Sequence, residues 1–316
     1  MSIGRTKVAI IGAGTVGSTL GYYLTSNRVC NELLLIDLNE KKAWAEAVDL
    51  RHSMGSSGSR IDIQDGGYAE CGDADIAVLT VGAPYREGMT RLDMYKKCCD
   101  IMDSIIPQIM DSGFKGVFVV VSNPVDLMTQ YVQEISGMEP SRVIGTGTAL
   151  DSARLKMYLA DLMEVDPRSV EALCMGEHGD SQMIPWSQVT VGGKPFLTIL
   201  KDNPQRLKNV GLDKIMSEIT YIAYEVVRHK GATCYGIASA AGSIIQAILY
   251  DENKVIPVSC MLRGEYGAEG IYAGIPSVIC SQGIKETVTY HLTEEELHKL
   301  QKSLRVLKQY RENGRD

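Results

Sequence analysis

Along the first 145 residues, short continuous apolar runs alternate with stretches in which apolar residues recur every three or four positions. Val8-Ala9-Ile10-Ile11, Leu33-Leu34-Leu35-Ile36, Ile76-Ala77-Val78-Leu79 and Val117-Phe118-Val119-Val120-Val121 are the runs. Their apolarity is continuous rather than alternating, which predicts strands covered on both faces of a parallel sheet. Helical patterns lie between most of them, among them 40–53 and 92–112. Strand, helix and strand in repetition predict an α/β fold with a doubly wound parallel sheet. Past Gly145 the rhythm is lost and helices mix with strands. The chain is therefore expected to divide into residues 1–145 and a mixed α+β part, 146–316. It closes on a predicted helix, with a capping box from Thr293 to Glu296 and a packing stripe of Leu297, Leu300, Leu304 and Leu307.

Composition removes several functions. The 316 residues are 45% hydrophobic and carry a formal net charge of -7. Without a block of Lys and Arg, nucleic acid is not an expected partner. No apolar stretch is long enough to span a bilayer. The chain runs from Met1 almost directly into its first strand, which leaves no space for a signal peptide, so a cytoplasmic location is expected. The eight cysteines, Cys30, Cys71, Cys98, Cys99, Cys174, Cys234, Cys260 and Cys280, form no Cys-x-x-Cys pair. Reduced, buried thiols are expected, and no metal site.

Gly12-Ala13-Gly14-Thr15-Val16-Gly17 fits G-x-G-x-x-G and falls between a strand and an apolar helix marked by Val16, Leu20 and Leu24. In that setting Gly12 makes the tight turn, Gly14 lets a pyrophosphate approach the backbone, and Gly17 lets helix and strand pack closely. The helix start offers N–H groups and a positive dipole end to phosphate. The second strand ends at Asp37, about twenty residues past the last glycine, as a dinucleotide fingerprint requires. A carboxylate there accepts from both ribose hydroxyls and repels a 2′-phosphate, which favours NAD over NADP. A Rossmann-type nucleotide-binding half is the expectation.

Of the five histidines, His52, His229, His291 and His298 lie in polar or helical surroundings that predict a surface place. His178 follows an apolar run, Val170, Ala172, Leu173 and Cys174, and sits in Gly176-Glu177-His178-Gly179-Asp180. It is expected at a strand end, where α/β proteins bind ligands. Asp151 and Arg154 share one helix face, so the first can orient an imidazole and the second can clamp a carboxylate. The segment 81–91 has the look of a Gly-rich lid with a cationic tip. From the residues alone, ordinary surface charges account for it equally well.

These motifs, together with Gly88-Met89-Thr90-Arg91-Leu92-Asp93, Ser122-Asn123-Pro124-Val125-Asp126, the segment 145–154 and His229-Lys230-Gly231-Ala232-Thr233, make the chain resemble the L-lactate/malate dehydrogenase family over nearly its whole length. Its lactate members are the closer likeness. The resemblance implies hydride exchange between NAD and the 2-position of a small L-2-hydroxy acid. It implies His178 as general acid/base, Asp151 as the carboxylate that holds its tautomer, Arg154 as the grip on the substrate carboxylate, Arg91 as the lid arginine, and Asn123 as an amide on the reacting oxygen. Val16, Tyr68, Gly82, Ala83, Val121 and Thr146 match residues lining the dinucleotide, and Thr233 a pocket residue. A homo-oligomer, tetramer or dimer, is implied.

One position departs from the pattern. Tyr85 stands where lactate enzymes of the family carry Gln and malate enzymes Arg. It offers no charge to a second carboxylate, whose unpaired burial costs several kcal/mol. Pyruvate and lactate are therefore expected over oxaloacetate and malate, with a bulkier 2-keto acid or malate (through Arg86) as alternatives. The Arg and His that bind fructose 1,6-bisphosphate in some bacterial members correspond to Lys156 and Glu171, so activation by the bisphosphate is not expected. Two other readings stand beside this one: a metal-dependent NAD glycosidase using Cys174 and His178, and a nucleotide-binding scaffold without activity. The Asp151 and Arg154 pair and the setting of His178 in Gly176-Glu177-His178-Gly179-Asp180 fit the dehydrogenase better than the first, and the presence of His178, Asp151, Arg91, Arg154 and Asn123 together argues against the second.

Overall fold

Each apolar run forms a strand, and alternate residues within it feed two different cores. In the first strand Val8 and Ile10 point to one face of the sheet while Ala9 and Ile11 point to the other. That is why the run carries no polar residue: both faces are dry. The computed structural model describes residues 5–58, 60–82, 91–205 and 211–314, with the backbone alone at 57 and 91–93.

The strands are β1 (Lys7–Ile11), β2 (Glu32–Ile36), β3 (Asp62–Asp65), β4 (Ile76–Leu79), β5 (Val117–Val120), β6 (Val143–Gly145), β7 (Val170–Glu171), β8 (Thr190–Val191), β9 (Lys194–Pro195), β10 (Lys254–Arg263), β11 (Glu269–Cys280) and β12 (Gly283–Thr287). The helices are α1 (Thr15–Ser26), α2 (Glu40–Ser57), α3 (Arg91–Asp111), α4 (Val125–Ser136), α5 (Ala149–Met163), α6 (Phe196–Asp202), α7 (Leu212–Lys230), α8 (Tyr235–Leu249) and α9 (Glu294–Gly314).

One sheet runs in the order β12-β11-β10-β6-β5-β4-β1-β2-β3. From β3 to β6 every pairing is parallel. The chain moves outward from β1 to β2 and β3, then returns to β4 on the other side of β1. The loops leaving β1 and β4 therefore part from one another, and a crevice opens above the carboxyl ends of the strands. Beyond β6 the sheet continues with β10, β11 and β12, all antiparallel, and β10 joins β6 at Ser259 opposite Gly145. A separate antiparallel sheet, β7-β8-β9, covers a third core around Leu159, Val170, Phe196 and Ile215. The fold is the expected α/β doubly wound sheet followed by a mixed second part.

The closing helix forms as its capping box predicts: Thr293 N–H donates to Glu296 Oε2 at 2.9 Å and Glu296 N–H to Thr293 Oγ1 at 3.3 Å. Leu300, Leu304 and Leu307 are buried. Among the described residues no single helix is long and apolar enough to cross a membrane.

One expected strand is corrected. The run 170–174 is not continuous strand: β7 stops at Glu171. Past it, the backbone bonds to side chains of α5 instead of to a neighbouring strand. Cys174 N–H donates to Ser152 Oγ at 2.8 Å, and Thr148 Oγ1 donates to the Cys174 carbonyl at 2.7 Å. All three residues are buried. Because a buried N–H left without an acceptor costs about 1–3 kcal/mol, Ser152→Ala is expected to lower the free energy of unfolding by that amount in urea titrations.

Candidate active site

The turn between β1 and α1 is built around two glycines. Gly12 has φ +107°, a conformation that L side chains avoid, and its N–H donates to the Ile36 carbonyl at 2.7 Å. A Cβ at Gly17 would lie 1.9 Å from the Gly12 carbonyl oxygen, so only glycine lets α1 start this close to β1. At Gly14 a Cβ would meet nothing within 4 Å: this side of the turn faces open space. Gly14 is also the N-cap of α1 and brings no side chain to the first-turn N–H groups. Asp37, at the end of β2, accepts from Ala13 N–H at 2.8 Å and from Asn39 N–H at 2.9 Å, one on each oxygen. A carboxylate has about four acceptor positions, so two remain for the ribose hydroxyls of a dinucleotide. Burial and the nearby Asp37 carboxylate push the Tyr68 phenol upward, which places Tyr68 beside this carboxylate.

The other expected cofactor residues follow the strand ends. Val16 packs on the core in the first turn of α1, and Gly82 lies just past β4. Val121 N–H donates to the Leu79 carbonyl, and Thr146 N–H to the Val120 carbonyl, both at 2.9 Å. All lie along the carboxyl edge of the parallel strands. Ala83 and Tyr85 lie outside the described residues, and only the backbone of Arg91, which opens α3, is described.

Across the crevice, the first turn of α5 carries Asp151 and Arg154. Asp151 Oδ2 faces His178 Nδ1 at 2.7 Å, and its Oδ1 accepts from Arg154 Nη1 at 3.0 Å. The Asp151 side chain is 4% exposed, that of Arg154 19% and that of His178 29%, so the imidazole lies deep but opens on the cleft. Burial disfavours charge on both Asp151 and His178, but the attraction between them outweighs it. Asp151 is held below the usual carboxylate range by His178 and Arg154, and His178 is raised above 6.5 by Asp151. An imidazole that keeps its proton near neutrality, beside an ionised carboxylate, can give and retake a proton.

His178 does not sit at the end of a strand, as the sequence suggested. Its loop hangs from β11, through paired bonds between Gly176 and Gly274 at 2.9 and 2.8 Å, and from α9, where Ser303 Oγ accepts from Glu177 N–H at 2.8 Å. Asn123 closes β5 with an exposed side chain and a cis peptide to Pro124. Thr233 lies between α7 and α8; contact of Gly236 with Leu150 brings that end of α8 against the start of α5. The other four histidines are exposed, as expected.

The sequence reading missed three supports. Thr80 Oγ1 donates to the Gly12 carbonyl at 2.7 Å, pinning the glycine turn to β4. Ser122 Oγ donates to the Leu79 carbonyl at 3.1 Å. Asp126, 3% exposed, accepts from the His178 backbone N–H at 2.8 Å. Each bond joins residues more than forty positions apart, and no local spacing signals it.

A doubly wound sheet with a glycine turn, a carboxylate at the end of β2 and a carboxylate–imidazole–guanidinium cluster across one crevice is the framework of a dinucleotide-dependent oxidoreductase. Residues 6–145 match the family model of the lactate/malate dehydrogenase NAD binding domain, and residues 148–316 that of the lactate/malate dehydrogenase alpha/beta C-terminal domain. The chain belongs to the lactate/malate dehydrogenase family. It is 43% identical over 304 residues to L-lactate dehydrogenase 3 of Bacillus anthracis, covering 96% of each chain. It is 41% identical over 312 residues to L-lactate dehydrogenase 2 of Lactococcus lactis subsp. cremoris, covering 98% of each. The ligand-bound crystal structure of the minor L-lactate dehydrogenase from Enterococcus mundtii superposes with a TM-score of 0.95 at 40% identity, covering 98% of each chain. The lactate dehydrogenase of Cryptosporidium parvum, complexed with lactic acid and nicotinamide adenine dinucleotide, gives 0.93 at 26% identity over 99% of each.

The coupling between Asp151 and His178 has a definite pH signature. Its stabilisation is complete between pH 3.8 and 6.5, is lost as pH rises through the raised value of His178, and is lost as pH falls through the lowered value of Asp151. Asp151→Asn removes the larger attraction and leaves the desolvation, so the His178 imidazole is expected to titrate lower than in the wild type in an NMR pH series; a value at or above the wild type's would contradict this account.

Proposed function

We propose that this protein is an NAD-dependent L-lactate dehydrogenase that interconverts L-lactate and pyruvate. The observation that carries the reading is the Asp151–His178–Arg154 cluster facing the crevice across from the glycine turn. Asp37 would hold the ribose of a nicotinamide dinucleotide and the open side of Gly14 would admit its pyrophosphate; when bound, that group would supply or accept the hydride at the 2-carbon.

The residues of the chain do the rest. Arg154 uses Nη1 on Asp151 and turns the remainder of its fork to the substrate carboxylate. His178, protonated, donates to the 2-keto oxygen as negative charge builds there, and takes the proton back in the oxidation direction. Asp151 accepts from Nδ1, which fixes the tautomer and stabilises the imidazolium. The resemblance assigns Arg91 and Asn123 to the same oxygen, where a guanidinium and an amide would stabilise the developing charge. It also assigns Thr233 and position 85 to the rest of the acid, and a tyrosine at 85 brings no charge to a second carboxylate. We keep the division of the chain at residues 1–145, for the cofactor, and 146–316, for the substrate.

We also infer a cytoplasmic homotetramer or homodimer. Large apolar side chains stand exposed on α1 (Tyr22), α2 (Trp44) and α7 (Tyr221, Ile222, Tyr224), more than isolated surface residues require. A cavity lined by Ser152, Lys254 and Tyr290 also contains Lys156 and Glu171, which pair at 3.2 Å. The Glu171 carboxylate repels an incoming phosphate and already holds the lysine.

NADH oxidation followed with pyruvate, oxaloacetate, 2-ketoisocaproate and phenylpyruvate tests the assignment: pyruvate is expected to give the highest kcat/KM. A lead for oxaloacetate or for a bulkier acid would overturn the lactate assignment within the family. Pyruvate reduction is expected to fall as pH rises through the raised value of His178, and lactate oxidation to rise over the same interval. His178→Asn should cost about 10²–10⁴ in kcat with NADH binding retained. Fructose 1,6-bisphosphate is expected to leave kcat/KM unchanged.

A further inference from the structure

Beneath the imidazole lies a second carboxylate that the reaction does not touch. Asp126, in the first turn of α4, is buried and joins three separate elements. Its Oδ2 accepts from the His178 backbone N–H at 2.8 Å, and its Oδ1 accepts from Ser259 Oγ of β10 at 2.6 Å. We propose that Asp126 is a positioning residue for this dehydrogenase, tying the His178 backbone to the sheet and supplying a second negative charge that keeps the imidazole protonated. The proposal rests on the reading of His178 as the acid/base.

A purely structural role does not call for a carboxylate here. Asparagine has nearly the same shape: its amide oxygen would accept from His178 N–H and its amide nitrogen would donate to Ser259 Oγ. It would do so without placing a charge in the interior. Burial pushes the Asp126 carboxyl up to about 6, against the donors Ser259 and His178 N–H and the charge of His178, which pull it down. The fold therefore carries an ionised group at neutral pH at some cost to stability, the pattern found where a charge is used.

Among the described residues the charge has one nearby cation to act on. Around Asp126 stand Glu177 and His178 of the loop, Ser259 and Cys260 of β10, and the phenols of Tyr95 on α3 and Tyr310 on α9. Of these, only His178 becomes positive. Asp126 favours its protonated form, in the same sense as Asp151, while Arg154 opposes both. Above pH 6 the ionised carboxylate raises the proton affinity of His178 over the range in which keto-acid reduction needs the proton. Below pH 6 the carboxyl protonates, and both the pull and the acceptor strength toward His178 N–H fall.

Two measurements test this. In perdeuterated wild-type protein without substrate, the backbone amide proton of His178 is expected to show an inflection near pH 6 as Asp126 ionises. In Asp126→Asn the component due to Asp126 should vanish, leaving only the step that follows the His178 ring itself, and the ring should titrate lower than in the wild type. The same shift should appear in the pH limb of kcat/KM for pyruvate reduction, with NADH affinity unchanged and an unfolding midpoint no lower than the wild type's. Wild-type ring titration and pH limb in Asp126→Asn would overturn the proposal, as would a flat His178 amide in the wild-type protein. If the wild-type enzyme turned over no 2-keto acid, the acid/base reading would fail instead, while the amide titration would still report whether Asp126 holds the loop.

Discussion

The site hangs from the first turn of α5. Thr148 and Ser152 take both backbone groups of Cys174, and Asp151 takes the imidazole of His178, all within 2.7–2.8 Å. One helical turn thus replaces a neighbouring strand for the segment that leads to His178, and also holds the reactive side chain at the segment's end. Arg154, one turn further on, shares Asp151 with the imidazole. Guanidinium and imidazole are therefore spaced by a single carboxylate on a rigid element, as suits a substrate whose carboxylate and 2-oxygen sit on adjacent carbons.

The electrostatics follow from that sharing. Asp151 is buried deeply enough that desolvation alone would neutralise it, yet two cationic partners hold it ionised. For His178 burial likewise disfavours the charged form, and Asp151 is the larger of the carboxylates that offset it. Neither group could keep its charge in place alone. An isolated buried charge is expensive, and a paired one with its hydrogen bonds satisfied is tolerated. The pair is thereby a poor source of stability and a good store for a proton.

Legibility in the sequence tracked the range of the interaction. The parallel strands were readable because burial on both faces makes an apolar run continuous, as in Val8 to Ile11 and Ile76 to Leu79. Asp37 was readable from its spacing to the glycines, and the α9 cap from Thr293 and Glu296, three residues apart. What failed was long-range. The segment 170–174 has the composition of a strand, and nothing nearby signals that Thr148 and Ser152 satisfy Cys174. Asp126 looks like an ordinary acidic residue in a helix first turn; its partners, Ser259 and His178, stand 133 and 52 positions away. Thr80 and Ser122 were passed over for the same reason.

The two parts of the chain differ in rhythm, yet they share one sheet, and the seam between them decides the geometry of the reaction. β10 lies against β6 with Ser259 opposite Gly145. A Cβ at Gly145 would come within 2.7 Å of the Ser259 Cβ and 2.2 Å of Thr129 Oγ1, so the approach needs glycine. Ser259, held there, binds Asp126, and Asp126 binds the backbone of His178. The cofactor residues stand at the ends of β1 to β6, and β10 continues the same hydrogen-bonded layer. The register of one sheet therefore fixes the distance between the ends of β1 to β6 and the His178 imidazole. A shared sheet resists shear along its hydrogen bonds, so Gly145, Ser259, Asp126 and His178 hold one another in place across the seam.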